Sequence, residues 1–162
     1  MGKMKKNKKK QLAGFGDADY FHAVEQRYNE LPELQKSQTG KVLLVYICGV
    51  VVECILRGHI AKGIKQSEDN TFDSRHDLKH LFQSALKTGT RKLVNGKEIN
   101  DALDILQRRW KNNLRYYSER KFKNEILENK SISRNKIVKS YDNYINEIFS
   151  ATQVLYSKLK DN

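Results

Sequence analysis

The stretch Lys41–Ile64, KVLLVYICGVVVECILRGHIAKGI, decides the fold of this 162-residue chain. From Val42 to Leu56 every residue is apolar except Gly49 and Glu53. As a helix this run would span about 22 Å, short of the roughly 30 Å hydrocarbon core of a bilayer, and it contains a carboxylate. A buried strand is the alternative, because valine and isoleucine are dense, but the following RGHIAKGI keeps apolar residues at helical spacing. We therefore predict a central helix over Lys41–Ile64, surrounded by other helices.

Composition favours one helix-rich, soluble domain. The chain is 38% hydrophobic and 31% charged, and one proline and nine glycines leave few forced breaks. Its net charge is +12, from 31 basic and 19 acidic residues. Six of the positive charges belong to one N-terminal run: Lys3, Lys5, Lys6, Lys8, Lys9 and Lys10. Without those six, 25 basic residues face 19 acidic ones, so the remainder carries +6 and a nucleic-acid partner is a reasonable hypothesis.

The same charge run suggests where the folded part begins. We expect residues 1–16 to be a disordered basic tail and residues 17–160 to be a single helical bundle. The tail has two readings, a solvated arm without a partner or an arm that binds nucleic acid. It lacks an apolar segment behind its charges, so it is not typical of a signal peptide.

The flanking segments show apolar stripes at helical spacing. DADYFHAVEQRYNEL has one, with Asp17 or Asp19 able to cap the helix and Pro32 expected to end it. Ser74 and Asp77 resemble a capping box that opens a third helix. A fourth helix is predicted over Ile99–Ser118 and a last one over Ser133–Lys158. The stripes of the first, third and fourth helices are Phe21, Val24, Tyr28 and Leu31; Leu78, Leu81, Phe82 and Ala85; and Ile99, Leu103, Leu106, Trp110, Leu114 and Tyr117. The predicted fold is all-α, an antiparallel bundle of about five helices.

Cys48 and Cys54 lie six residues apart within the central run. On a helix they point about 240° apart, so they cannot form a disulfide with each other. Two such thiols predict a reducing, cytoplasmic setting, and the central run is expected to lie in the protein core rather than in a membrane.

An arginine and a histidine in DSRHDLKHLF raise the question of a catalytic pair. Arg75 and His80 could act on RNA without a metal, the histidine as a base and the arginine as the cation that stabilises phosphate charge. On a helix that begins at Ser74, however, Arg75 would lie about 140° from His80. The pair would then need a second chain to complete the site, or a non-helical first turn. The plain alternative is that these residues form a solvated face.

His76 and His80 also have the i, i+4 spacing of a two-histidine metal site. Asp73 could be a third ligand, but no HExxH motif or cysteine pair accompanies them. We predict neither a metal nor another cofactor.

A basic stripe follows on the predicted fourth helix. Arg108, Lys111 and Arg115 would lie within about 60° of one another, opposite the apolar side. Tyr116 stands beside them. Cations next to an aromatic ring suit phosphate contact with base stacking, although a solvated basic face would show the same pattern.

Four segments together resemble HEPN domains of bacteria and archaea. They are YICGVVVECILRGHI, SRHDLKHLFQSA, WKNNLRYY and the final amphipathic helix, and they span about residues 18–158. The resemblance implies an antiparallel helical bundle that dimerises and acts on or beside RNA or nucleotides. Members of that family occur in toxin–antitoxin and other defence systems, many of them as endoribonucleases.

The nuclease signature of that family, R-x4-6-H, would begin at Arg115. Arg120, Lys121 and Phe122 stand where the histidine is needed, and the chain has no histidine after His80. The sequence therefore resembles the non-catalytic branch, which binds RNA, a nucleotide or a partner subunit. Two alternatives stay open: a metal-independent endoribonuclease with a site formed across a dimer, and a structural subunit of a larger defence complex. The expected partners are a second copy or another protein of the same system.

Glu53 is the one carboxylate of the central run. Burying it is costly unless it is paired. Arg57, one turn further on, is the nearest candidate partner, and Arg115 is the partner that the family resemblance suggests. A structural ion pair and a catalytic base are the two roles considered.

Overall fold

A computed structural model of the protein describes residues 15–64, 76–88, 93, 96–128 and 134–160. Within these ranges the chain is all-α and forms no strand, which confirms the predicted fold class. The helices are α1 (Asp17–Lys36), α2 (Lys41–Ile64), α3 (Leu78–Lys87), α4 (Lys97–Arg109), α5 (Glu119–Glu128) and α6 (Arg134–Leu159), with a 3-10 helix over Asn112–Tyr116. The described part thus has six α-helices rather than about five.

Helix α2 begins and ends where the sequence predicts. Its residues supply the centre of the core, with Leu44, Val45, Cys48, Val51, Val52, Ile55 and Leu56 fully buried. In the described part of the chain it is also the one helix long and apolar enough to span a membrane, yet 72% of its most apolar window is buried inside the protein. Helices α1, α3 and α6 and the 3-10 helix pack around it. Its hydrophobicity is therefore that of a core helix.

Helix α1 is longer than predicted. It runs through Pro32 to Lys36, so the expectation that Pro32 ends it is wrong. Leu31 and Leu34, on either side of the proline, pack against the core, while Pro32 itself is exposed. This packing offsets the backbone hydrogen bond that a proline removes. At the other end Gly16 is the N-cap, and Asp19 accepts a hydrogen bond from its amide at 2.8 Å.

Helix α3 starts later than the capping box predicted. Asp77 is its N-cap and accepts a hydrogen bond from the amide of His80 at 2.9 Å. The amide of Leu78 donates to Oε1 of Gln107 on α4, also at 2.9 Å. These two acceptors satisfy the first free amides of the helix, which therefore begins at Leu78. Ser74 lies outside the described residues.

The predicted fourth helix is broken at Trp110. Helix α4 ends at Arg109, the chain runs extended through Trp110 and Lys111, and a 3-10 helix and α5 follow. The indole of Trp110 lies against Gly49 of α2, where a Cβ atom would come within 2.2 Å of the ring. Its Nε1 donates to the carbonyl of Tyr46 at 3.1 Å. Burial of this ring on the bare backbone of α2 explains the break. The predicted apolar stripe is buried from Ile99 to Leu114 and partly buried at Tyr117, although it is not one helix.

Helices α4 and α6 pack antiparallel. Lys158 near the end of α6 pairs with Glu98 at the start of α4 at 3.2 Å. At the opposite ends, the guanidinium of Arg109 lies 4.7 Å from the ring centroid of Tyr144. The observed bounds of α6 differ from the prediction by one residue at each end.

Candidate functional site

The two polar regions of the bundle lie at opposite ends of one face of α2, which we call the α2 stripe. Val42, Tyr46, Gly49 and Glu53 follow one another at spacings of four, three and four residues, so they share one helical face. The amide of Val42 donates to the side chain of Glu119, at the start of α5, at 2.9 Å. Trp110 occupies the middle of the stripe, and Glu53 lies at its other end. The two ends are separated by about 16 Å along the axis of α2.

At the Glu53 end the structure contains a buried charge cluster, formed by Glu53, Arg57 and His76. Nε of Arg57 donates to Oε1 of Glu53 at 2.7 Å, and both side chains are almost fully buried. Nδ1 of His76 lies 3.0 Å from Oε1 and 2.9 Å from Oε2 of the same carboxylate. The predicted pairing of Glu53 with Arg57 is confirmed.

In this cluster an accessible histidine, His76, contacts a buried carboxylate, that of Glu53. The side chain of His76 is 47% exposed, whereas that of Glu53 is 11% exposed. A carboxylate that accepts from Nδ1 fixes the ring orientation and leaves Nε2 as the second functional atom of the imidazole. Arg115, the alternative partner of Glu53, lies elsewhere with its guanidinium over the ring of Tyr116.

The predicted catalytic pair lies only partly within the described residues. Arg75 and Asp73 lie outside them, so the Arg75/His80 site stays a prediction. His80 lies in the first turn of α3 and is partly buried. Since α3 begins at Leu78, His76 precedes the helix and does not share a helical face with His80, so the two histidines do not have the geometry of an i, i+4 pair on one helix. The described residues contain no group of three potential metal-binding side chains.

The predicted basic stripe is also divided by the break at Trp110. Arg108 is exposed on α4, where its Nε donates to the backbone carbonyl of Asp104 at 3.0 Å. Lys111 forms an ion pair with Glu125 of α5 at 2.9 Å, and this hydrogen bond raises the pKa of Lys111. Arg115 lies on the 3-10 helix. Because the three residues belong to three different local conformations, their predicted common helical face is wrong.

The structure instead gathers cations and aromatic rings around the start of α5. We call Arg115, Tyr116, Tyr117, Arg120 and Lys121 the cationic–aromatic patch. Tyr116 is 75% exposed, and the guanidinium of Arg115 lies 4.8 Å from its ring centroid. The ammonium of Lys121 lies 4.1 Å from the ring centroid of Tyr117. Arg120 and Lys121 are exposed and line a shallow depression of about 420 Å³.

Two carboxylates lie near the patch. Glu125 lines the same depression and pairs with Lys111 at 2.9 Å, and Glu119 points inward. Glu119 accepts hydrogen bonds from the amide of Val42 and, at 3.4 Å, from the hydroxyl of Tyr141. Burial, followed by the charge of Glu119, raises the pKa of Tyr141, so this tyrosine stays neutral. Three exposed cations therefore face solvent beside an exposed aromatic ring.

Sequence reasoning missed Arg120 and Lys121 because it placed no helix between the fourth, which it ended at Ser118, and the last, which it began at Ser133. The signal was present in SERKFKNEI. Ser118 precedes Glu119, and Phe122 and Ile126 follow at helical spacing, which is typical of a new helix start. In the structure the hydroxyl of Ser118 accepts from the amide of Lys121 at 3.2 Å. The role of His76 was missed for a related reason, since its placement depended on the wrong start of α3.

The two thiols do not contribute to either region. Cys48 and Cys54 are both free, as predicted. Burial raises the pKa of Cys48 to about 12, so it is a thiol and not a nucleophile at neutral pH. Burial also raises the pKa of Cys54.

The chain matches no family model, and neither a curated protein nor a solved structure is significantly similar to it. The fold defines its class as an all-α helical bundle. The resemblance to HEPN domains stays a prediction.

Proposed function

We propose that this protein is a HEPN-like helical module that binds single-stranded RNA through the cationic–aromatic patch. The observation that carries the proposal is the exposed ring of Tyr116 with the guanidinium of Arg115 over it and further cations close by in the chain. Surfaces that bind single strands typically combine aromatic side chains, which stack on bases, with cationic side chains, which contact phosphates.

The cations of the patch would supply the electrostatic part of the affinity. Arg115, Arg120 and Lys121 are exposed, and none of the three forms an ion pair with another described residue. Each phosphate that they neutralise releases condensed counterions, so affinity for a single strand should fall with salt with a slope near −0.7 for each contact. Three contacts predict a slope of about −2.

The aromatic part of the patch favours single strands over duplexes. A base can stack on the open face of Tyr116 only if it is unpaired or splayed out. Stacking on an aromatic side chain contributes about 1–3 kcal/mol per base and tolerates every base. We therefore expect weak sequence preference and a preference for single-stranded over double-stranded RNA.

The test is a titration of a fluorescent single-stranded RNA against salt, read as anisotropy. Tyr116→Ala should lower affinity by about 1–3 kcal/mol without changing the salt slope, because it removes stacking and no charge. Arg115→Gln and Arg120→Gln should each reduce the slope by about 0.7. The matched control is Lys62→Gln, which removes an exposed cation from the far end of α2. Absence of RNA binding by the wild type at low salt would refute the proposal, and so would an equal loss in the control.

We further propose that this RNA-binding module works in a prokaryotic defence or toxin–antitoxin system, as a homodimer or beside a partner protein of that system. What supports this is the order of the HEPN-like segments along the chain. A neighbouring gene for an antitoxin, a nucleotidyltransferase or a nuclease would agree with it. A neighbourhood of unrelated metabolic genes would count against it.

The alternative function is metal-independent RNA cleavage, and one observation favours it. A buried carboxylate holds His76, and the ring of this histidine is half exposed. Such an imidazole could take a proton from a ribose 2′-hydroxyl. Incubation of RNA with the protein in EDTA decides between the two functions: 2′,3′-cyclic phosphate ends that disappear in His76→Ala support cleavage, and intact RNA supports binding alone.

A further inference from the structure

A groove between α4 and α6 lies apart from both polar regions described above. Its volume is about 530 Å³. The floor is apolar, with Ala102 and Ile105 from α4 and Ala151 and Val154 from α6. These residues recur at helical spacing on both helices, so the groove follows the two antiparallel helices for about three turns.

The charged residues that line this groove are all acidic, although cations at its two ends pair with two of them. Glu98, Asp101 and Glu147 line it, and none of its lining residues is basic. Lys158 and Arg109, which pair with Glu98 and Glu147, lie at its two ends. Asp101 is exposed and has no ion pair with another described residue. An apolar floor with an acidic rim fits a basic segment whose side chains also have aliphatic stems.

We propose that this groove binds the lysine-rich segment Lys3–Lys10 of the same chain. The segment and the groove have opposite charge. The segment supplies six lysines, and three carboxylates line the groove in a protein that is otherwise basic. Glu98 and Glu147 each pair with one partly exposed cation, and Asp101 pairs with no other described residue. Lysine is also suited to the shape of the groove, since its four-carbon stem can cover apolar surface while its ammonium reaches a carboxylate on the rim.

The described chain also begins near one end of the groove, and the segment is long enough to reach it. The ring of Phe21 in α1 packs 5.4 Å from that of His59, and Nε2 of His59 lies 2.7 Å from the carbonyl of Leu159. The start of α1, the end of α6 and therefore the Glu98 end of the groove share one end of the bundle. Described structure begins at Phe15. An extended chain advances about 3.3 Å per residue, so Lys10 can lie about 16 Å from Phe15 and Lys3 about 40 Å from it.

The test uses the full chain labelled with ¹⁵N. The wild type is compared with a full-length variant in which all six lysines of Lys3–Lys10 are replaced by glutamine. We expect the amide resonances of the groove residues Asp101, Ala102 and Asn146 to differ between the two proteins. Raising the ionic strength to about 1 M, where the Debye length is about 3 Å, should move the wild-type resonances to the variant positions. Groove resonances that superimpose in the two proteins would overturn the proposal.

Two single substitutions locate the contact. In an Asp101→Asn background the difference between lysine and glutamine tails should shrink at the groove. In an Asp142→Asn background it should persist, because Asp142 is also an exposed carboxylate, on α6, and does not line the groove. Equal shrinkage in both backgrounds would show a general charge effect and overturn the proposal.

Cross-linking tests whether the segment binds the groove of its own chain. Tail lysines are joined to Glu98 or Asp101 with a carbodiimide in a mixture of ¹⁵N-labelled and unlabelled protein. Cross-linked peptides of one isotopic composition support binding within one chain. Mixed peptides would show that the segment binds a second copy instead.

Discussion

Charged side chains are placed differently at the two ends of the α2 stripe that runs from Val42 to Glu53. At one end the carboxylate of Glu53 lies inside the bundle and is held by Arg57 and His76 at 2.7–3.0 Å. At the other end Glu119 turns inward to Val42, and the cations of the cationic–aromatic patch stay in solvent over tyrosine rings. The same helix thus supports one region in which charges satisfy one another and one in which they are available to a ligand.

That difference separates stability from binding. A buried ion pair contributes little net stability relative to an apolar core, but removal of one partner leaves the other in a medium of low polarity. An exposed cation over an aromatic ring contributes about 0.5–1 kcal/mol at most, so its loss hardly affects folding. Substitutions in the buried charge cluster should therefore change stability, and substitutions in the cationic–aromatic patch should change ligand affinity.

The largest effect is expected for Glu53→Ala. This change removes the carboxylate that holds the Arg57 guanidinium and the His76 ring, and loss of one partner from a buried pair costs about 3–5 kcal/mol. The free energy of unfolding measured with urea should fall by that amount. Glu53→Gln, which keeps an oxygen acceptor and the side-chain shape, should cost less.

Glu33→Ala is the control for this prediction. Glu33 pairs with Lys36 at 2.9 Å, but both side chains are more than two-thirds exposed. Loss of an exposed pair costs less than about 1 kcal/mol. Equal destabilisation by Glu53→Ala and Glu33→Ala would mean that the Glu53 cluster is no better shielded than the surface.

The next effect concerns Gly49, midway along the stripe. Helix propensity alone predicts that Gly49→Ala stabilises the protein by about 1 kcal/mol. The structure predicts the opposite sign, because the new Cβ atom would overlap the indole of Trp110. Overpacking of this kind costs about 1–3 kcal/mol. Trp110 is the one tryptophan in the chain, so its fluorescence should shift together with the loss of stability.

A double-mutant cycle sharpens this prediction. In a Trp110→Leu background the ring is absent, and Gly49→Ala should become neutral or stabilising. If Gly49→Ala destabilises both backgrounds by the same amount, the close approach of Trp110 is not the reason that position 49 is glycine.

Trp110 also shows how far the sequence could predict this fold. Hydrophobic periodicity located α2 and α6 to within one residue, because long apolar stripes depend on burial alone. The same periodicity continued across Trp110 into Leu114 and Tyr117, so α4 and the 3-10 helix were predicted as one helix. The signal that ends α4 is the bare backbone at Gly49, 61 residues away in sequence, which no local pattern contains.

The candidate site was predictable to the same extent. The pairing of Glu53 with Arg57 follows from their spacing on one helix, and it was found. The bond from His76 joins two segments 23 residues apart and depends on where α3 starts. Arg115 and Tyr116 were correctly predicted to be an exposed cation and an exposed ring. Lys111 was predicted to belong with them, but it pairs with Glu125, a residue of a helix that was not predicted.

A smaller effect concerns pH and the buried histidine of α2. His59 is 1% exposed, and its burial lowers its pKa below the ordinary 6.5. Below about pH 6.5 the unfolded chain therefore binds a proton that the folded chain does not, so the free energy of unfolding falls as the pH falls. The slope from this one group is at most about 1.4 kcal/mol per pH unit.

His59→Gln tests this pH dependence. An amide can still donate to the carbonyl of Leu159, which now lies 2.7 Å from Nε2 of His59, but it does not titrate. We expect a flatter stability profile between pH 5 and pH 7 in urea titrations. His22→Gln, at an exposed histidine of α1, is the matched control for the loss of an imidazole. Identical profiles for the wild type and His59→Gln would show that His59 is not the group responsible.

The smallest effect on stability is expected in the cationic–aromatic patch, where it is also the most informative. Tyr116→Ala and Arg120→Gln should each change the free energy of unfolding by less than about 0.5 kcal/mol, because both side chains are exposed and neither fills the core. The same two variants should lose RNA affinity. Glu53→Gln gives the opposite pattern if its cluster is structural: lower stability, with RNA affinity unchanged for the fraction that is folded. Loss of stability in Tyr116→Ala comparable to that in Glu53→Gln would remove the distinction between the two ends of the stripe, since the tyrosine would then be serving the fold rather than a ligand.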